Sequence, residues 1–222
     1  MNKLKYCLFL IPFLGWGQLT LDVNLAVGER VLILNQPVEL KDCSFQLEQA
    51  RFYLSKFEFY QNGHLVAADP VNAYLVDLEL DSTRKLIFQN IDPKKVDGIR
   101  FLFGIDSITN TSGAMSGALD PMHGMYWSWQ SGYINCKLEG TFIKPKREAF
   151  QLHLGGYAFP FSGAQQISLK TNNADGELKV TIDLDLLMQE IIRPQANLHV
   201  MSPCIRAVEY AQLLVKSVDL KP

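Results

Sequence analysis

The chain has 222 residues, a formal net charge of −2 and 48% hydrophobic side chains. A strand-rich chain of this length can fold as one domain around one core. No run of like charges is long enough to serve as a nucleic-acid arm or an acidic tail, so polyanion binding is excluded as a class of function.

The N-terminus reads as a leader. Lys3 and Lys5 precede an apolar run from Tyr6 to Trp16, and Gly15 and Gly17 place small residues just before Gln18, where a signal peptidase would cut. The run is too short to span a bilayer, which takes about 20 helical residues. The expectation is a signal peptide over residues 1–17, a single mature domain over residues 18–222, and a periplasmic or extracellular location. Beyond the leader stand Cys43, Cys136 and Cys204. In an oxidising compartment two of these can pair, and spacing leaves open which two. No Cys-x-x-Cys spacing occurs, which argues against a structural zinc site.

Most segments that follow read as strands. "LTLDVNLAV" (Leu19 to Val27) alternates with period two. Ser44 to Gly63 is a long strand segment, and its apolar positions slip phase between Leu54 and Phe57, so a bulge or bend is expected there. Asn62-Gly63 makes a turn that places His64 on the surface. Val71 to Leu80, Lys85 to Ile91 and Gly98 to Ile105 are rich in β-branched and aromatic residues and end at turn signals. Asn110 to Gly124 is a glycine-rich connection without periodicity, and connections of that length inside a domain are often functional.

Ala149 to Tyr157, Gln166 to Asn172 and Glu177 to Asp185 continue the strand pattern, with Asp175-Gly176 suited to a hairpin turn. Asp185 to Ile192 can form two helical turns before Pro194 stops them. Ser202-Pro203 suits a helix start, and Ile205, Val208, Ala211 and Val215 form an apolar stripe on a helix running to about Lys216. The fold expected from this order is all-β: an antiparallel β-sandwich with a short C-terminal helix.

The candidate chemistry lies in histidines and in one aromatic stretch. His123 sits beside Met122 and Met125 in the glycine-rich connection. His153 lies in "QLHLGG", on the strand face opposite Leu152 and Leu154, and His199 in "ANLHVM" beside Met201. Histidines at strand ends with thioethers nearby suit copper, because imidazole binds either oxidation state and thioether favours the reduced ion. Nearby carboxylates are sparse, which disfavours calcium and magnesium. Neither a His-Glu-x-x-His zinc motif, nor a Gly-x-Ser-x-Gly elbow, nor a phosphate loop before a helix occurs. Trp127 and Trp129, two apart, would share one strand face. They can be core aromatics, or can form with Tyr126 and Tyr133 a platform for carbohydrate or protein, or can serve as sites of oxidation.

"LDPMHGMYWSWQSGYINCKLEG" (Leu119 to Gly140), followed by "FQLHLGG" (Phe150 to Gly156) and "NLHVMSP" (Asn197 to Pro203), resembles the MbnP-like copper-binding proteins. That resemblance covers the whole mature chain. It implies an exported, non-enzymatic, methanobactin-associated copper protein. It also implies a partner, a dihaem enzyme of the cytochrome c peroxidase type that oxidises a tryptophan to kynurenine. On it, His123, His153 and His199 are the candidate copper ligands, and Trp127 or Trp129 is the modified residue. The relatives place a histidine two positions after that tryptophan; here Trp129 follows Trp127 and Ser131 follows Trp129.

Overall fold

The structure is a computed structural model that describes residues 17–41, 43–128, 130–144, 146–171 and 175–221. The expected leader, apart from Gly17, lies outside the described residues, and so does Trp129. In chain order the elements are β1 (Gln18–Val27), β2 (Arg30–Val31), β3 (Pro37–Glu39) and β4 (Ser44–Gln61). Then come β5 (His64–Ala68), β6 (Ala73–Asp77), β7 (Lys85–Gln89), β8 (Gly98–Phe103), α1 (Ser107–Thr111), β9 (Tyr126–Ser128) and β10 (Gly132–Lys144). β11 (Glu148–Gly155), β12 (Gln165–Lys170), β13 (Glu177–Asp183), α2 (Asp185–Ile191), β14 (His199–Val200), α3 (Ile205–Lys216) and β15 (Val218–Lys221) complete it.

Two sheets pack face to face, as the alternation predicts. The smaller joins β15, β13, β1, β2 and β7, and the larger is organised around β4. Leu19, Leu21, Val23 and Leu25 of β1 face Phe45, Leu47, Ala50, Phe52 and Leu54 of β4 across one core. The pairing is not wholly antiparallel: β1 runs parallel to β13, and β11 parallel to β14. Period-two alternation reports which face is buried and is blind to the direction of the neighbour.

β4 bends twice to keep its apolar side inward. At Lys56, φ is 55° and the register against β8 shifts between Ser55 and Glu58, where the phase slip was read. A second shift near Glu48, seen as the jump from Gln49 to Leu47 opposite Glu139 and Gly140, is the other. Because Phe52 pairs with both Cys136 and Val76, and Leu54 with both Phe103 and Tyr74, β10 and β8 follow one another along the same edge of β4. The seam between them is closed by Asn135, the bulged residue between Ile134 and Cys136. Its Oδ1 accepts from Ile105 N at 3.0 Å. Gly104, at φ 110°, lies so close that a Cβ there would fall 2.6 Å from the Asn135 Cγ. Replacing Asn135 by Ala should lower stability by about 1–3 kcal/mol, because the buried Ile105 N–H loses its acceptor. A denaturant midpoint equal to wild type, at equal m-value, would show that the seam does not depend on this amide.

The C-terminal helix starts later than expected. Cys204, not Ser202, occupies the N-cap position, with no side-chain cap hydrogen bond. The buried stripe is Ala207, Tyr210, Ala211 and Leu214, while Ile205 is exposed. Tyr210 and the neighbouring alanines let the helix lie close against β11, β12 and β13, whereas the expected stripe would have left that tyrosine in solvent.

The glycine-rich connection is structured. After α1 come two 3-10 turns, Gly117–Leu119 and Pro121–His123. It folds over the outer face of the larger sheet and closes a second, smaller core of Tyr53, Ala73, Ile105, Leu119, Met125, Tyr133 and Ile134. Tyr133 is its post: its hydroxyl donates to Leu119 O at 3.0 Å and accepts from Met115 N at 3.0 Å. Tyr53 Oη donates to Ala118 O at 3.1 Å. Two carbonyls of the first turn and the amide of Met115 before it are thus tied to two buried phenols.

Candidate metal centre

The outer face of the larger sheet, beside this cap, carries the histidines. On β11, Phe150, Leu152 and Leu154 enter the main core, so Gln151, His153 and Gly155 face outward. Across β10, Lys137 stands opposite His153 and Glu139 opposite Gln151. The His153 ring reaches diagonally, with Nε2 2.7 Å from Glu139 Oε1, and Lys137 Nζ lies 3.5 Å from the same oxygen. Although on the outer face, His153 is only 7% exposed. Burial holds its pKa below the usual 6.5, against the pull of Glu139, so the ring is neutral near pH 7. Burial of Glu139 works the other way, but the bond from His153 and the charge of Lys137 keep its carboxyl below the usual range.

His199 comes to the same face from the other side. β14 pairs parallel with β11, with His199 beside Gln151, so the two imidazoles sit on adjacent strands one diagonal step apart. His199 is exposed, and so is Met201 just past the strand.

Trp127 covers the end of this row. A Cβ on Gly155 would meet the indole Cζ3 at 2.7 Å and Cη2 at 3.1 Å, so the benzo edge lies directly on Gly155. Glycine is required there for the indole to approach. Trp127 is therefore packed two residues along the strand from His153, partly buried at the edge of the second core.

His123 is not gathered with the other two. It is exposed in the 3-10 turn at Pro121–His123, with Nε2 3.0 Å from Gly117 O. Its own carbonyl accepts from Arg51 Nη1 at 3.2 Å, and Arg51 is held by Asp77 and Glu79. Arg51 pairs across β4 with Lys137, so two cationic side chains stand between His123 and His153. His64 opens β5 after the positive-φ pair Asn62 and Gly63, exposed as expected.

Among the described residues, no three His, Cys, Asp or Glu side chains converge on a point that could hold a metal ion. Two imidazoles can be brought together, and among the described residues no third side chain of these kinds joins them. Cys136 does not: its thiol is buried in the main core and burial pushes its pKa up. Cys136 and Cys204 are free thiols. The aromatic platform also loses a member. Tyr133 is 1% exposed, edge-on to Tyr53 at 5.8 Å and tilted against Tyr126 at 4.8 Å, so its faces are closed to a sugar. The residue that the sequence reading passed over is Glu139. Alternation in "CKLEG" puts Lys137 and Glu139 on the outer face, but only the register of β10 against β11 brings the carboxylate to His153.

The family model described as MbnP matches residues 16–202, a span that holds all three candidate histidines as well as Trp127 and Trp129. Comparison with curated proteins gives no match. Among solved structures the fold is similar to that of MbnP from Methylosinus trichosporium, with a TM-score of 0.61, 13% identity and 87% of each chain covered. At that identity the likeness concerns the fold; the family rests on the sequence match, which spans most of the chain, and the chain belongs to the MbnP family.

Proposed function

We propose that the protein is an exported copper-binding protein, not itself an enzyme, that holds copper on the outer face of its larger sheet. One observation carries the reading: the buried imidazole of His153 lies one diagonal step from the accessible imidazole of His199, with Trp127 against the same strand. Neutral imidazoles are ready donors to copper, and Met201 adds a thioether suited to the reduced ion. His123, set apart beyond Lys137 and Arg51, is the least favoured of the three candidates.

The family link supports a methanobactin-related setting and a dihaem partner of the cytochrome c peroxidase type that oxidises Trp127 or Trp129 to kynurenine. Lys3, Lys5 and the apolar run to Trp16 support export and location in the periplasm or outside the cell. The test is intact-mass and metal analysis of protein secreted by its native route. The expected species starts at Gln18 and carries copper in a fixed ratio. Retention of Met1 to Gly17 would overturn export, and a metal-free product under copper-replete conditions would overturn the copper reading.

A further inference from the structure

The geometry points to Glu139 as the positioning residue that keeps the proton of His153 on Nε2 and thereby makes Nδ1 the copper-binding nitrogen. This rests on the copper reading above. An ionised carboxylate can only accept hydrogen bonds, so the 2.7 Å contact between Glu139 Oε1 and His153 Nε2 requires that nitrogen to be the donor. A neutral imidazole has one donor and one lone pair, and the lone pair is then on Nδ1. Because the ring's Nε2 is turned toward β10, its other nitrogen is directed away from Glu139. Lys137 Nζ, 3.5 Å from the same oxygen, approaches it as a second donor.

A carboxylate behind a metal-binding histidine fixes its tautomer and raises its basicity, and loss of such a partner typically lowers metal affinity about 10–100-fold. The arrangement separates His153 from the other candidates. His123 also uses Nε2, but its acceptor is the carbonyl of Gly117, on a ring at the surface. Neither the cap nor the core needs an acid at position 139. Glu139 is partly exposed and faces outward, so its placement is not explained by packing.

Glu139→Gln preserves shape but replaces an acceptor-only carboxylate by an amide that can accept from or donate to Nε2, so the proton is no longer held on Nε2 and the Nδ1–H form, which blocks the lone pair, gains population. The primary measurement needs no variant: proton–nitrogen correlation spectra of the His153 ring in metal-free wild type should show the proton on Nε2. In Glu139→Gln the proton should shift toward Nδ1 and copper affinity should fall about 10–100-fold. Lys137→Met, which keeps the carboxylate, should leave the tautomer unchanged. Cuprous ion added to wild type should shift the Nδ1 signal and leave the Nε2 proton in place. A proton on Nδ1 in metal-free wild type, or wild-type affinity in Glu139→Gln, would overturn the inference while the copper reading stood. A wild-type protein that takes up no copper would end that reading and with it the ligand role of Nδ1.

Discussion

His153→Ala should lower copper affinity by more than the about 10–100-fold that removal of an outer partner causes, because it deletes a donor atom outright. The expected order of effects in a copper titration is His153 first, His199 second, His123 small, and His64 none. His153 leads because its ring is fixed before metal arrives. Nε2 is held by Glu139 and the ring is almost fully buried, so little rotamer entropy remains to be lost on binding. His199 is exposed and must be ordered by the metal, which weakens its share without removing it. His64 lies in a solvent-facing hairpin on β5 and serves as the control. The His153 change also leaves Glu139 to Lys137 alone, so a thermal melt must accompany the titration to separate lost binding from lost fold. Equal copper affinity in a folded His153→Ala protein would remove the central claim.

Much of the fold was legible in the sequence, and the reasons are local. Alternation in "LTLDVNLAV" corresponds to Leu19, Leu21, Val23 and Leu25 in the core, and the slip after Leu54 corresponds to the positive-φ bulge at Lys56. What was not legible depends on neighbours. The parallel partners of β1 and β11 are set by chain routing, about which period two is silent. The helix stripe was misjudged because Ile205 and Val208 outrank Ala207 and Tyr210 in hydropathy, while close packing against a sheet favours small residues and one large ring. For the site, residue types and strand faces were readable: His153 outward between Leu152 and Leu154, His199 at a strand near its end. Which histidines meet was a matter of register. Only the pairing of Gln151 with His199 on one side, and of His153 with Lys137 on the other, unites two of them and sets His123 apart.

In the presence of an active dihaem partner, the peptide from Gly124 to Tyr133 should carry a tryptophan converted to kynurenine, and Trp127→Phe should abolish that conversion. The conversion opens the indole ring with dioxygen activated at the partner's haem: tryptophan, dioxygen and water give kynurenine and formate, so the peptide gains one oxygen net and loses one carbon. It yields an aromatic amine and a ketone where the indole offered a single N–H donor. Trp127 is the favoured target on two grounds. Its benzo edge lies on Gly155, which holds the ring two residues along the strand from His153, while the amine and ketone form on the opposite, pyrrole side of that ring. Two tyrosines of the core beneath it, Tyr133 and Tyr53, are also poor competitors for the oxidation. Loss of an electron from tyrosine is eased when a base takes the phenolic proton. Here Tyr133 and Tyr53 donate instead to the carbonyls of Leu119 and Ala118, which cannot accept that proton, and burial raises both phenols above their usual pKa. Tyr133→Phe should therefore leave the conversion intact if the cap remains folded. Conversion persisting in Trp127→Phe would move the assignment to Trp129. An unmodified peptide beside an active partner would end the oxidation proposal and leave copper binding by His153 and His199 to stand on its titration, because the imidazole pair is set by strand register and not by the state of the indole.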